Sequence, residues 1–160
     1  MVLNEYSVAF LGHRIMADPF IAERRLEEEI FRLLKDKNYV VFTVGRNGDF
    51  DLLASAVVTR LRLQYRNDNS SLVLYLPYPS AEYQKNKYYY DSYYTDVEIC
   101  HASSIAHPKK AISIRNREMV DRSDLVLCYI EKENGGAWNA VKYAIDTGKE
   151  IINLAEDRNR

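Results

Sequence analysis

The sequence predicts an α/β protein: a Rossmann-like three-layer α/β/α domain on a mainly parallel sheet. Three observations predict it. Short, continuously apolar, β-rich runs recur along the chain, amphipathic helical stretches separate them, and two of the runs end directly on glycine. Strands buried on both faces read as unbroken apolar runs, and their alternation with helices is the signature of parallel βαβ units.

Each element follows from local chemistry. Tyr6–Gly12 (YSVAFLG) is the first buried strand. Asp18-Pro19 supplies an N-cap and a proline at the first helical position, and Leu26, Ile30, Leu33 and Leu34 then recur at helical spacing to about Lys37. Tyr39–Gly45 is the second strand, followed by a turn-rich loop (RNGDFD). A helix is expected from Leu52, with Leu53, Val57 and Leu61 along one stripe, and Ser71–Pro77 is a third strand. The stretch Pro77–Asp96 holds seven tyrosines and few aliphatics; it reads as an insert at about 78–95, either a flap over a site, a partner surface or a long loop of stacked rings. Asp96–His101 is a short strand, Lys109–Arg122 a helix and Asp124–Glu131 another buried strand. Gly136–Thr147 is helical, Gly148 stops it, Glu150–Ala155 is the last strand, and the charged tail frays.

The 160 residues fit one domain spanning 1–160, large enough to bury roughly two-thirds of its unfolded surface. A net charge of −1 gives no general attraction to nucleic acid or anionic membranes, so neither is expected as a partner and any bound anion must be held locally. Cys100 and Cys128 read as buried thiols, with a disulfide between them left open; no metal site and no cofactor is expected. The N-terminus lacks a signal-peptide layout and no apolar run nears the ~18 residues of a membrane span, so a cytoplasmic protein is expected.

In an open parallel sheet, ligands bind beyond the carboxyl ends of the strands, where the strand order reverses. Three glycine-bearing loops fall there: Gly12-His13-Arg14, Gly45 to Asp51, and Asn134-Gly135-Gly136. Glycine lets backbone N–H groups approach an anion, and a following helix adds free donors and a positive dipole end. Neither G-x-G-x-x-G nor a Walker A lysine loop is present, which argues against dehydrogenase-type NAD binding and P-loop hydrolysis.

The motifs FLGHR, GRNGDFDLLAS, RNREMVDRSDLVL and NGGAWNAVKYA, in this order and spacing from Phe10 to Leu154, resemble the YpsA-like branch of the SLOG superfamily, which includes the DprA and LOG Rossmann domains. The resemblance implies that Gly12, His13 and Arg14 form a first ligand loop and that Gly45, Gly48 and Asp51 lie in a second. It implies that Arg115, with Asn116 beside it, stands where LOG enzymes place an arginine next to their substrate, and that Gly135-Gly136 is the phosphate-cradling pair. LOG enzymes carry P-G-G-x-G-T-x-x-E; here Asn134 replaces the proline, Trp138 the third glycine and Asn139 the threonine. Val141 and Lys142 stand near the position of the catalytic glutamate. The carboxylate that glycosidic-bond cleavage requires is absent from its place.

Arg14 and Arg115 read as ligand contacts, with surface ion pairs as the alternative. Asp51 is either a helix cap or a ribose contact, and Trp138 either stacks on a base or fills the core. His13 belongs to structure or ligand contact before catalysis. The leading expectation is a nucleotide-binding module, for an ADP-ribose-type molecule or a nucleoside phosphate, acting as a sensor or regulator and pairing as a homo-oligomer. The alternative is a nucleotide N-glycosidase-like hydrolase whose catalytic group would come from Asp49, Asp51, Glu118 or His13. A third reading is a protein-interaction module using the tyrosine-rich surface.

Overall fold

A computed structural model describes residues 4–156; residues 157–160 of the charged tail lie outside it. The strands are β1 (Glu5–Gly12), β2 (Tyr39–Val44), β3 (Ser70–Leu76), β4 (Asp96–Ile99), β5 (Leu125–Tyr129) and β6 (Glu150–Asn153). The helices are α1 (Pro19–Asp36), α2 (Asp49–Gln64), α3 (Ala81–Lys85), α4 (Lys87–Tyr93), α5 (His101–Ser104), α6 (Pro108–Asp121) and α7 (Gly135–Asp146). All six strands are parallel, in the order β4-β3-β2-β1-β5-β6. The chain moves outward from β1 to β4, then returns to lay β5 on the other side of β1. The switch point is therefore the crevice between β1 and β5.

Strand alternation sorts the core into two layers. Val8, Phe10, Val40, Phe42, Leu72, Leu74 and Leu127 face α1, α2 and α4, together with Leu26, Ile30, Leu34, Phe50, Val57 and Tyr90. Ala9, Leu11, Tyr75, Val126 and Cys128 face α6 and α7 through Met119, Val120, Ala140, Val141 and Ala144. Phe10 stacks on Phe42 at 5.9 Å and meets the edge of Phe50 at 6.3 Å. Full burial of each of these rings stabilises the fold by about 1.5–3 kcal/mol. Both cysteines are buried free thiols, and burial pushes Cys128 up to about 12. Among the described residues no helix is long and apolar enough to cross a membrane.

Helix ends follow the expected chemistry with one shift. Asp18 Oδ1 accepts from Ile21 N at 3.3 Å and Pro19 opens α1. Gly148, at φ 79°, closes α7 in a Schellman arrangement: Lys149 N donates to Ala144 O and Gly148 N to Ile145 O. Helix α2 starts at Asp49, not Leu52, because Gly48 is its cap and Asp49 and Asp51 suit its first turn. Its buried stripe is accordingly Phe50, Ala54, Val57 and Val58, with Leu53 and Leu61 only partly covered.

The tyrosine-rich insert is not an open loop. Ser80 caps α3, Tyr90 and Tyr94 are buried in the first core layer, and a chain of tilted and edge-on ring contacts, with Tyr89 stacked on Tyr93, links Tyr83 to Tyr94. Arg46 fastens this unit to the β2–α2 loop. Its Nη1 donates to Tyr94 OH at 3.1 Å, its guanidinium lies 4.8 Å over the Tyr90 ring, and Glu82 is 3.8 Å away. Aromatic side chains have no strong helix preference, so it is this tertiary packing that makes the segment helical.

Candidate functional site

A cavity of about 340 Å³ opens at the carboxyl ends of β1 and β2 and beside the start of α7. Gly12, His13 and Arg14 line it from the first loop, Gly45, Asn47 and Asp51 from the second, and Asn134, Gly135 and Gly136 from the third. Helix α6 supplies the floor with Ile112, Arg115, Asn116 and Met119. It lies at the position where doubly wound sheets take ligands.

Arg115 is the buried charge of the site, only 2% exposed. Its Nη1 donates to the Tyr75 carbonyl at 2.8 Å, and its Nε to Asn116 Oδ1 at 2.9 Å. Nη2 makes no hydrogen bond among the described residues, and the guanidinium lines the cavity. Burial lowers its pKa from the ordinary guanidinium value, with Asp51 as the main opposing influence. Asn116 is thus a positioning partner that fixes the plane of the guanidinium.

Asp51 sits in the first turn of α2 rather than at its cap, and its Oδ2 accepts from Asn47 N at 2.9 Å. Burial raises its carboxyl above the ordinary range, while the Asn47 N–H and Arg115 pull it back. The two opposite charges, Arg115 buried and Asp51 partly so, flank Gly45. A Cβ there would lie 3.0 Å from Arg115 Nη1 and 3.1 Å from Asp51 Oδ2, so the missing side chain makes room for both.

The other glycines divide by cause. A Cβ on Gly12 would come within 2.3 Å of the Phe50 ring, and one on Gly48 within 2.4 Å of the Arg14 backbone; packing alone explains them. Gly48 does not line the cavity. Gly135, at φ 90°, is in the left-handed region. Gly136 has neither constraint: its φ is ordinary, and a Cβ there would meet nothing within 4 Å. Asn134 caps α7 with its backbone only, which leaves the first N–H groups of the helix without a side-chain acceptor.

His13 holds the third loop in place. The backbone N–H groups of Glu131 and Lys132 donate to its Nε2 at 3.0 and 3.2 Å, so that nitrogen is an acceptor and the ring proton sits on Nδ1. Arg14 is exposed at the rim and its guanidinium has no hydrogen-bond or ion-pair partner among the described residues.

Besides Gly48, three residues singled out from the sequence fall elsewhere. Trp138 is half-buried against the α6–α7 core layer and does not line the cavity. Glu118 accepts from the Cys100 thiol at 2.8 Å and does not line the cavity. Asp49 is exposed and does not line the site. Asn47, Ile112 and Met119 line it without having been singled out; Asn47 lies inside the second glycine loop, which was the available signal.

A second depression of about 340 Å³ lies over the exposed face of β1, β2 and β3. Its arginine, Arg122, is engaged by Glu98 at 3.2 Å, and no glycine lines it. Of these two cavities, the switch-point one has the arginine, Arg14, whose guanidinium has no hydrogen-bond or ion-pair partner among the described residues.

No protein-family model matches the chain, and no curated protein matches its sequence. Among solved structures it is similar to DNA processing protein A (DprA) from Streptococcus pneumoniae, with a TM-score of 0.64 and 18% identity. The match covers 91% of this chain and 49% of that one, so the chain spans about half of the S. pneumoniae protein's length. It is also similar to DprA from Helicobacter pylori, described for its single-stranded DNA binding mode, with a TM-score of 0.65 and 15% identity over 97% of this chain and 67% of that one. At these identities the likeness is one of fold alone: a Rossmann-like architecture similar to that of DprA.

Proposed function

We propose that this protein is a nucleotide-binding module, a YpsA-like member of the SLOG group, that holds a nucleoside phosphate or ADP-ribose-type molecule as a sensor or regulatory domain. The observation that carries the reading is the convergence of unengaged cationic and N–H donors on one cavity. Arg14 is unpartnered at the rim, Arg115 is buried with Nη2 free, and Gly136 leaves the uncapped start of α7 open to close approach. An anion with several oxygens can accept from all of these donors together, through charge-assisted hydrogen bonds. The phosphate sits at Gly135-Gly136 between the helix terminus and Arg14, and the sugar lies toward Asp51, whose carboxylate suits hydroxyl donors.

A thermal-shift screen of nucleotides, cyclic nucleotides and ADP-ribose tests this, with Arg14→Ala in parallel. A ligand at ~100 times its dissociation constant adds about 2.7 kcal/mol of stability. A shift seen in the wild type and reduced in Arg14→Ala supports the module. No shift from any of these compounds would remove the proposal and turn attention to partner capture through the exposed Tyr88 and Tyr89.

One observation favours a second reading, turnover of the nucleotide at its N-glycosidic bond. Asp51 alone among the carboxylates considered lines the cavity, and its raised carboxyl suits proton transfer. Free base released from a nucleotide, and lost in Asp51→Asn, would establish it. Association into a homo-oligomer is part of the proposal by analogy with related Rossmann domains, and sedimentation analysis tests it.

A further inference from the structure

A second, smaller cavity of about 130 Å³ adjoins the first and shares Asn47 and Ile112 with it. Leu76, Pro77, Ile112, Tyr78 and Tyr90 give it an apolar and aromatic lining, with Arg46, Ser80 and Glu82 as its polar groups. The tyrosine-rich insert forms its roof. Five tyrosines of that insert are locked into ring contacts with one another. Tyr78 is different: 38% exposed, it makes no ring contact, hydrogen bond or cation contact among the described residues, yet it lines this cavity. A half-exposed aromatic ring beside apolar walls, next to a polar anion site, suits a flat π-system.

We infer that this annex is a nucleobase subsite, with Tyr78 as its stacking residue, so that the protein's ligand is a base-bearing nucleotide and not a bare sugar phosphate. The inference rests on the phosphate reading of the larger cavity and extends it. The bridge between the two compartments is Asn47, which lines both and whose backbone N–H is fixed by Asp51; a sugar passing over it joins a phosphate at Gly136 to a base under Tyr78. Arg46, held over Tyr90 and bonded to Tyr94, keeps the roof in register with the loop that carries Asn47.

The test is a calorimetric titration of ribose 5-phosphate and of AMP, GMP, CMP and UMP into wild type, Tyr78→Ala and Tyr78→Phe. Stacking of a base on an aromatic ring changes affinity by about tenfold or more. The expected result is that at least one nucleotide binds the wild type about tenfold more tightly than ribose 5-phosphate. Tyr78→Ala should erase that advantage without changing ribose 5-phosphate binding, and Tyr78→Phe should keep it. Equal binding of ribose 5-phosphate and all four nucleotides, or an advantage intact in Tyr78→Ala, overturns the subsite while leaving the phosphate site standing. Binding of none of the five by the wild type overturns both.

Discussion

The backbone of Gly45 lies flat against the guanidinium of Arg115: a methyl group on Gly45 would stand 3.0 Å from Nη1 and 3.1 Å from Nη2. Arg115 cannot easily yield, because Tyr75 O and Asn116 Oδ1 hold two of its nitrogens. Gly45→Ala should therefore displace the buried arginine that lines the cavity. Overpacking of this kind costs about 1–3 kcal/mol. The expected outcome is a modest loss in Tm together with a disproportionate loss of nucleotide affinity, of about tenfold, measured by denaturation and calorimetry on the same preparation.

The two adjacent glycines of α7 should separate stability from binding. Gly135→Ala forces a side chain into the left-handed region and should cost roughly 1–2 kcal/mol. Gly136→Ala meets open space, so its stability should be unchanged or up to ~1 kcal/mol higher, while the methyl narrows the phosphate approach and weakens binding. Paired melts and titrations of the two variants check the contrast. Equal destabilisation by both would mean that Gly136 serves the backbone.

His13→Ala removes the acceptor for two backbone N–H groups of the β5–α7 loop. Loss of a hydrogen bond of this kind costs about 0.5–1.5 kcal/mol. The larger effect should be on faster hydrogen exchange at Glu131 and Lys132 and on weaker ligand binding, through a loosened Gly135-Gly136. Exchange at these two amides unchanged from the wild type would show that the imidazole does not hold the loop.

The Asp51 carboxyl gives the pH dependence its sign. Its folded-state pKa is raised by burial, so the folded protein binds that proton more tightly than the unfolded chain, whose value is ~3.9. The stability this contributes is absent near neutral pH and grows as pH falls through the raised value toward the unfolded one. The Tm difference between wild type and Asp51→Asn should thus move in favour of the wild type on acidification from about pH 7. A difference moving the other way would mean that Arg115 holds Asp51 ionised more strongly than burial opposes it.

Much of the fold was legible because its signals are local. Asp18-Pro19 marks the start of α1, Gly148 marks the stop of α7, and apolar runs such as those around Phe10 and Leu127 mark buried parallel strands. The start of α2 was misplaced by three residues because Gly48 and the first-turn acids outweigh the apolar run that follows them. The helices α3 and α4 were hidden because their order comes from Tyr90 and Tyr94 entering the core and from Arg46, none of which has a short-range pattern. At the candidate site, the glycine loops located the crevice, but sequence could not separate a glycine that accommodates Phe50 from one that faces open space. Nor could it show that Glu118 accepts from the Cys100 thiol and that Trp138 packs in the α6–α7 layer, neither of them lining the cavity.

Arg14 allows the most direct test of the central claim, since its guanidinium is exposed and has no hydrogen-bond or ion-pair partner among the described residues, only its backbone and the stem of its side chain packing on Gly48. Calorimetric titration of a nucleoside 5′-phosphate into wild type and Arg14→Ala, with melting curves of both, is the measurement. Saturable binding to the wild type, weakened about tenfold in a variant whose unliganded Tm is unchanged, is the predicted result and corresponds to one lost charge-assisted contact. Identical affinity in the two proteins, or no binding to the wild type, would contradict the assignment of the switch-point cavity as a nucleotide phosphate site.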